Sequence, residues 1–118
     1  MKLAISSLGD NIDSPIDPRF GRCQFLIFFD TETEKFKAEK NANIMTQGGA
    51  GIQTSQFVVD KNAEVVITGQ LGPNAIKTLH AAGIKTFINA SGTVKQAIAD
   101  YKAGKLSELS NSTSTGHI

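Results

Sequence analysis

The chain has little of several things, and each shortage removes a class of protein. Among its 118 residues there is one cysteine, Cys23, so no intramolecular disulfide framework can form. A single thiol can touch a metal cluster at one point but cannot enclose it, because iron–sulfur sites normally take about four protein ligands. Lys and Arg total 12 against 11 Asp and Glu, a net charge of +1. That leaves no basic excess to neutralise a run of phosphates, which excludes a general nucleic-acid binder. The apolar run near the N-terminus, Leu3-Ala4-Ile5, is far too short for a signal peptide or a membrane span, so a cytoplasmic protein without a membrane partner is expected. The only histidines, His80 and His117, have no partner motif, so no Ser–His–Asp set can be argued and no enzyme activity is expected. Nor do they share metal-ligand spacing with Cys23.

Arginine is scarce as well. Arg19 and Arg22 lie three apart in one loop, and the other ten basic residues are lysines. Arginine is the better fork for carboxylate, phosphate or a sulfide-rich anion. An equally good reading is that both arginines pair with Asp10, Asp13 or Asp17 and pin the loop. Those three acids lack the glycine and closing Glu of a calcium loop. Cys23, next to Arg22, reads either as a small core residue or as a thiolate helped by that neighbour.

What the chain has is glycine at helix starts. Gly48-Gly49-Ala50-Gly51, Leu71-Gly72-Pro73-Asn74-Ala75 and Ser91-Gly92-Thr93 each precede a helical stretch. A helix N-terminus carries free N–H groups and partial positive charge, and glycine lets a ligand approach the backbone. Three such ends on one sheet edge would cradle an anion. The Gly48–Gly51 turn lacks both the Lys-Ser/Thr of a P-loop and the buried strand before a dinucleotide fingerprint. Gly72-Pro73-Asn74 follows a buried run directly, with proline suited to the first helical position and an amide to aim at a ligand.

Hydrophobic patterning gives the order β, β, β, α, β, α, β, α. Strands fall at Lys2–Ser6, Phe25–Phe29, Lys35–Lys40, Glu64–Thr68 and Lys85–Ile88. Helices fall at Ala50–Asn62, with an imperfect stripe of Ile52, Phe57, Val58 and Val59, and then after Gly72 and after Thr93. Thr93 and Gln96 form a capping box, and Val94, Ala97, Ile98 and Tyr101 make an amphipathic face. Phe20 should anchor the long Ser7–Arg22 loop. The expected architecture is α/β, with a mixed five-stranded sheet in the order 3-2-1-4-5, strands 1, 4 and 5 parallel, and helices on both faces. One domain over residues 1–106 is expected, followed by a disordered Ser/Thr-rich tail from Ser107 to Ile118.

Arg19-Phe20-Gly21-Arg22, Gly48-Gly49-Ala50-Gly51-Ile52, Val66-Ile67-Thr68-Gly69, Leu71-Gly72-Pro73-Asn74-Ala75, Ala82-Gly83-Ile84-Lys85 and Gly92-Thr93-Val94 occur in this order and separation. In these motifs the chain resembles the dinitrogenase iron–molybdenum cofactor biosynthesis family, which includes NifX and the C-terminal domain of NifB, as a small stand-alone member. The resemblance spans about residues 1–106 and implies a ribonuclease-H-like three-layer fold. It implies a non-enzymatic carrier of iron–sulfur or iron–molybdenum cluster precursors, with cluster-assembly proteins as partners. The contacts it implies are Arg19, Phe20, Gly21, Gly48, Gly49, Gly51, Gly72, Pro73 and Asn74, with Cys23 on metal. Ribonuclease-H-type nucleases carry a metal-binding carboxylate on the first strand, and Leu3-Ala4-Ile5-Ser6 has none. The same N–H cradle would serve a nucleotide- or phosphate-binding regulatory module, and an interaction domain without a small ligand is a third reading.

Overall fold

Strand β1 (Lys2–Ser7) lies at the centre of the sheet, because Leu3 to Ser7 are apolar or small on both faces. The computed structural model describes residues 1–42 and 48–109. The remaining elements are β2 (Phe25–Asp30), β3 (Phe36–Lys40), α1 (Ala50–Asp60), β4 (Val65–Ile67), α2 (Pro73–Ala81), β5 (Lys85–Ile88), α3 (Val94–Lys102) and β6 (Ser107–Glu108). The sheet runs β3-β2-β1-β4-β5-β6. Strands β1, β4 and β5 are parallel, with Ile5 beside Ile67 and Ile67 beside Phe87. The β2–β3 hairpin is antiparallel, as its Asp30–Glu34 turn requires.

The expected strand order holds, with one strand added. Ser107 and Glu108, placed by the sequence in a disordered tail, pair antiparallel with Ile88 and Phe87 as β6. The sheet therefore has six strands rather than five. Both β6 residues are exposed and polar, so no hydrophobic pattern marks them. The rest of the expected tail, residues 110–118, lies outside the described residues.

Alternation along the strands divides the core in two. Leu3, Ile5, Ile27, Phe29, Val65 and Ile67 pack with Val94, Ala97 and Ile98 of α3. Ala4, Leu26, Phe28 and Val66 pack on the other face with Val58 of α1 and with Ala75 and Leu79 of α2. This makes three layers: α1 and α2, the sheet, and α3. The pairing of α1 with α2 follows from handedness, since both lead rightward into a parallel strand and must cover the same face. The expected stripe on α1 is only partly correct. Ala50, Thr54, Ser55 and Val58 are buried, whereas Ile52 is 43% exposed. The helix ends at Asp60, and Asn62 takes a left-handed φ of 64° just beyond it.

The long loop before β2 is laced to the body. Asp17 N donates to Ser6 O at 3.1 Å, Ile16 N to Gly92 O at 2.9 Å, and Gln70 N to Pro18 O at 2.9 Å. Phe20, 2% exposed, anchors it in the α1–α2 core as its sequence position implied.

Candidate anion cleft

Two helix N-termini and one loop enclose the principal cleft, of about 490 Å³. Its walls are Arg19 to Arg22, Gly49 to Ile52 at the start of α1, and Gln70 to Ala75 at the start of α2. Small residues make this convergence possible. A Cβ on Gly51 would lie 3.4 Å from Ala75 Cβ, so the first turns of the two helices pass in contact. Gly69 is confined more tightly, because a Cβ there would meet Pro18 Cα at 2.7 Å. This contact presses the arginine loop against the turn that opens α2.

Neither helix caps itself with a side chain. Gly49 (φ 68°) precedes α1 and Gly72 precedes α2, and neither offers a side-chain acceptor to the first-turn N–H groups. The first intrahelical bonds are Gln53 N to Gly49 O and Ile76 N to Gly72 O, both at 3.0 Å. The N–H groups ahead of them, on Ala50, Gly51, Ile52, Asn74 and Ala75, have no intrahelical acceptor. Each helix end also carries roughly half a positive charge. The cleft is thus positive through its backbone as well as its side chains.

Arg19 is held by a fully buried carboxylate. Its Nε donates to Asp17 Oδ1 at 3.2 Å and its Nη2 to Asp17 Oδ2 at 3.3 Å. The pair raises the guanidinium pKa, first through the hydrogen bond and then through charge. Pinning by Asp17 and lining of the cleft, two readings that competed in the sequence, are both true of Arg19. Arg22 also lines the cleft.

Of the residues implied as contacts, Arg19, Phe20, Gly21, Gly49, Gly51, Gly72, Pro73 and Asn74 line one cleft. Gly48 does not; it stands one residue outside, with a left-handed φ of 71° that shapes the turn. Cys23 does not either. It is fully buried, with Asn41 Nδ2 3.7 Å from its sulfur. Burial, and secondarily the charge of Asp17, push the thiol up to about 12. The Cys23 side chain packs in the core with Ala4, Leu26 and Val58 rather than in the cleft wall, the placement that the core reading expects. Among the described residues no group of three or more His, Cys, Asp and Glu could hold a metal ion.

The third glycine turn is also corrected. Asn89 to Thr93 leads into α3 on the opposite face and contributes nothing to the cleft wall. Instead it braces the long loop, with Val94 N donating to Ser14 O at 2.9 Å and Lys95 N to Ile12 O at 2.8 Å. Gln70, Leu71, Ile52 and Ala75 line the cleft without having been singled out as contacts; their adjacency to the glycine turns was the available signal.

Among the described residues no helix is long and apolar enough to cross a membrane. No curated protein sequence matches the chain. Solved structures do. The apo form of the orange protein from Desulfovibrio gigas is 33% identical, covers 93% of each chain and gives a TM-score of 0.90. A NifB-like protein from Thermotoga is 35% identical, with 93% of this chain and 94% of that one covered and a TM-score of 0.82. A dinitrogenase-like protein from Methanocaldococcus jannaschii, 20% identical over 94% of this chain and 96% of that one, shares the fold at a TM-score of 0.64. The family described as dinitrogenase iron–molybdenum cofactor matches residues 1–104, and this chain belongs to it.

Proposed function

We propose that this protein is a non-enzymatic carrier whose cargo is an anionic metal–sulfur cluster, an iron–sulfur or iron–molybdenum-type precursor, seated between α1 and α2 on a ribonuclease-H-like frame. The observation that carries this reading is the convergence of two uncapped helix N-termini with Arg19 on one cleft. Membership of a family tied to the iron–molybdenum cofactor supports it.

The donor set defines what kind of cluster fits. The cleft offers N–H groups, the Asn74 amide and arginine, and no thiolate. A cluster that needs about four cysteine ligands cannot be built there. An anion that brings its own sulfide shell fits, because N–H donors and guanidinium groups hold it by charge-assisted hydrogen bonds. Binding of this kind is reversible without ligand exchange, which suits a carrier that receives and passes on its load. Delivery then involves cluster-assembly proteins.

The test is anaerobic incubation with ferrous iron and tetrathiomolybdate, followed by gel filtration with visible absorbance and metal analysis. Coloured metal should co-elute with the protein, fall sharply in Arg19→Gln and persist in Cys23→Ser. Metal that fails to co-elute, or that requires Cys23, overturns the proposal. A nucleotide at about 100 times its dissociation constant would add roughly 2.7 kcal/mol of stability. That shift, without thiometallate binding, would identify a phosphate-binding module instead.

A further inference from the structure

We propose that Asp17 is a positioning residue for the cleft: it acts on the bound anion through Arg19, by fixing which edge of the guanidinium faces the cargo. This rests on the carrier reading above and adds a residue that does not itself line the cleft.

The Asp17 carboxylate is fully buried and completely used. Its Oδ1 accepts from Arg19 N at 3.1 Å and from Arg19 Nε at 3.2 Å. Its Oδ2 accepts from Arg19 Nη2 at 3.3 Å and from Gln24 N at 3.1 Å. Two carboxylate oxygens offer about four acceptor sites, and four donors fill them. The guanidinium is planar, so binding the Nε edge fixes the direction of the remaining N–H groups, those of Nη1 and the second of Nη2. The Arg19 side chain is nevertheless 58% exposed and lines the cleft. An exposed arginine would ordinarily sample many rotamers and would have to be ordered by its ligand. Here the ordering is complete before a ligand arrives.

The turn does not depend on this fork for its shape. Ser6 Oγ donates to Asp17 O at 2.7 Å, and Asp17 N donates to Ser6 O at 3.1 Å. Pro18 O is held by Gln70 N at 2.9 Å. The main chain is thus tied ahead of Arg19 at Asp17 and Pro18, and beyond it at Gly21, whose carbonyl accepts from Thr54 Oγ1 at 2.8 Å, so the carboxylate's two bonds to the guanidinium serve orientation. An opposing effect exists, because the Asp17 charge repels an anion, and its sign allows separation of the two.

The experiment is a double-mutant cycle of Asp17→Asn, Arg19→Gln and the pair, read as affinity for tetrathiomolybdate without oxygen, with folding checked by circular dichroism. Positioning through Arg19 predicts that Asp17→Asn weakens binding about tenfold in the native background and less than about twofold in the Arg19→Gln background. Equal effects in both backgrounds, or tighter binding by Asp17→Asn, overturn the proposal. Arg19→Lys keeps the charge but cannot make the two-pronged bond, and it should bind nearly as weakly as Arg19→Gln; native affinity there also overturns it. A second readout needs no anion. The Arg19 Nε–H resonance should be sharp and slow to exchange in the native protein and lose that protection in Asp17→Asn. If the native protein fails to bind the thiometallate, the carrier reading falls, while a protected Nε–H still supports the positioning role. An Nε–H exchanging as in free arginine refutes it.

Discussion

Gly21 lies against the backbone of Gly51, so closely that a Cβ on Gly21 would meet the Gly51 nitrogen at 2.9 Å and its Cα at 3.0 Å. This contact joins the arginine loop to the first turn of α1. The Gly21 carbonyl is held from the same helix by Thr54 Oγ1 at 2.8 Å, and by Asn41 Nδ2 at 3.2 Å. The obstacle to a side chain is backbone, which cannot rotate aside. Gly21→Ala should therefore lower stability by about 1–3 kcal/mol, as overpacking does, and weaken anion binding by parting the loop from the helix. Denaturant unfolding and thiometallate affinity measured on the same variant check both effects.

Gly49 presents a different constraint. Its φ of 68° is left-handed, yet a Cβ there would meet nothing within 4 Å. Only conformational strain opposes a side chain, at about 1–2 kcal/mol, and asparagine tolerates the left-handed region better than alanine. Gly49→Ala should thus be the less stable of the two variants and Gly49→Asn the closer to native. Thermal unfolding midpoints of the two decide this order.

Cys23 makes stability fall in alkali. Its thiol is pushed up to about 12 from 9.0 by burial first and by Asp17 second. Between about pH 9 and 12 the unfolded chain has lost this proton while the folded chain keeps it, so the unfolded state is favoured as pH rises. The contribution is fully present below pH 9 and is lost progressively above it. Unfolding free energies measured from pH 8 to 11 should decline less steeply in Cys23→Ala than in the native protein. Equal slopes would show that the thiol ionises freely in the folded state. At neutral pH, disulfide reagents should react slowly with the native protein and quickly once it is denatured.

Much of this fold was readable because burial leaves a direct trace in residue type. Leu26-Ile27-Phe28-Phe29 and Val65-Val66-Ile67 are apolar on both faces, and both are covered on both faces. Strand β6 left no trace, because Ser107 and Glu108 join the sheet through backbone pairing while both side chains stay exposed. The glycine turns marked helix starts correctly but not their side of the sheet. Crossover handedness carries that information: α1 and α2 must share a face, and the other face then needs α3 as cover. The turn at Gly92 therefore belonged to the far side from the outset. Spacing alone also overstated the capping box. Thr93 Oγ1 accepts from Gln96 N at 3.1 Å, but the Gln96 side chain turns away to Asp100 Oδ1 at 2.8 Å, an i, i+4 partner that competes for it. Cys23 was legible as two chemistries, because exposure is a tertiary property that a neighbouring arginine in sequence does not determine.

The central claim is a seat for an anion made by the starts of α1 and α2 with the Arg19 loop. Its most direct test is a titration of the nitrogen-15-labelled protein with tetrathiomolybdate, followed amide by amide. The amides of Arg19 to Arg22, Gly49 to Ile52, Gln70 to Gly72, Asn74 and Ala75 should move together with one dissociation constant, while those of Asn89 to Thr93 stay in place. Saturable shifts centred on other residues, or none at any concentration, would contradict it.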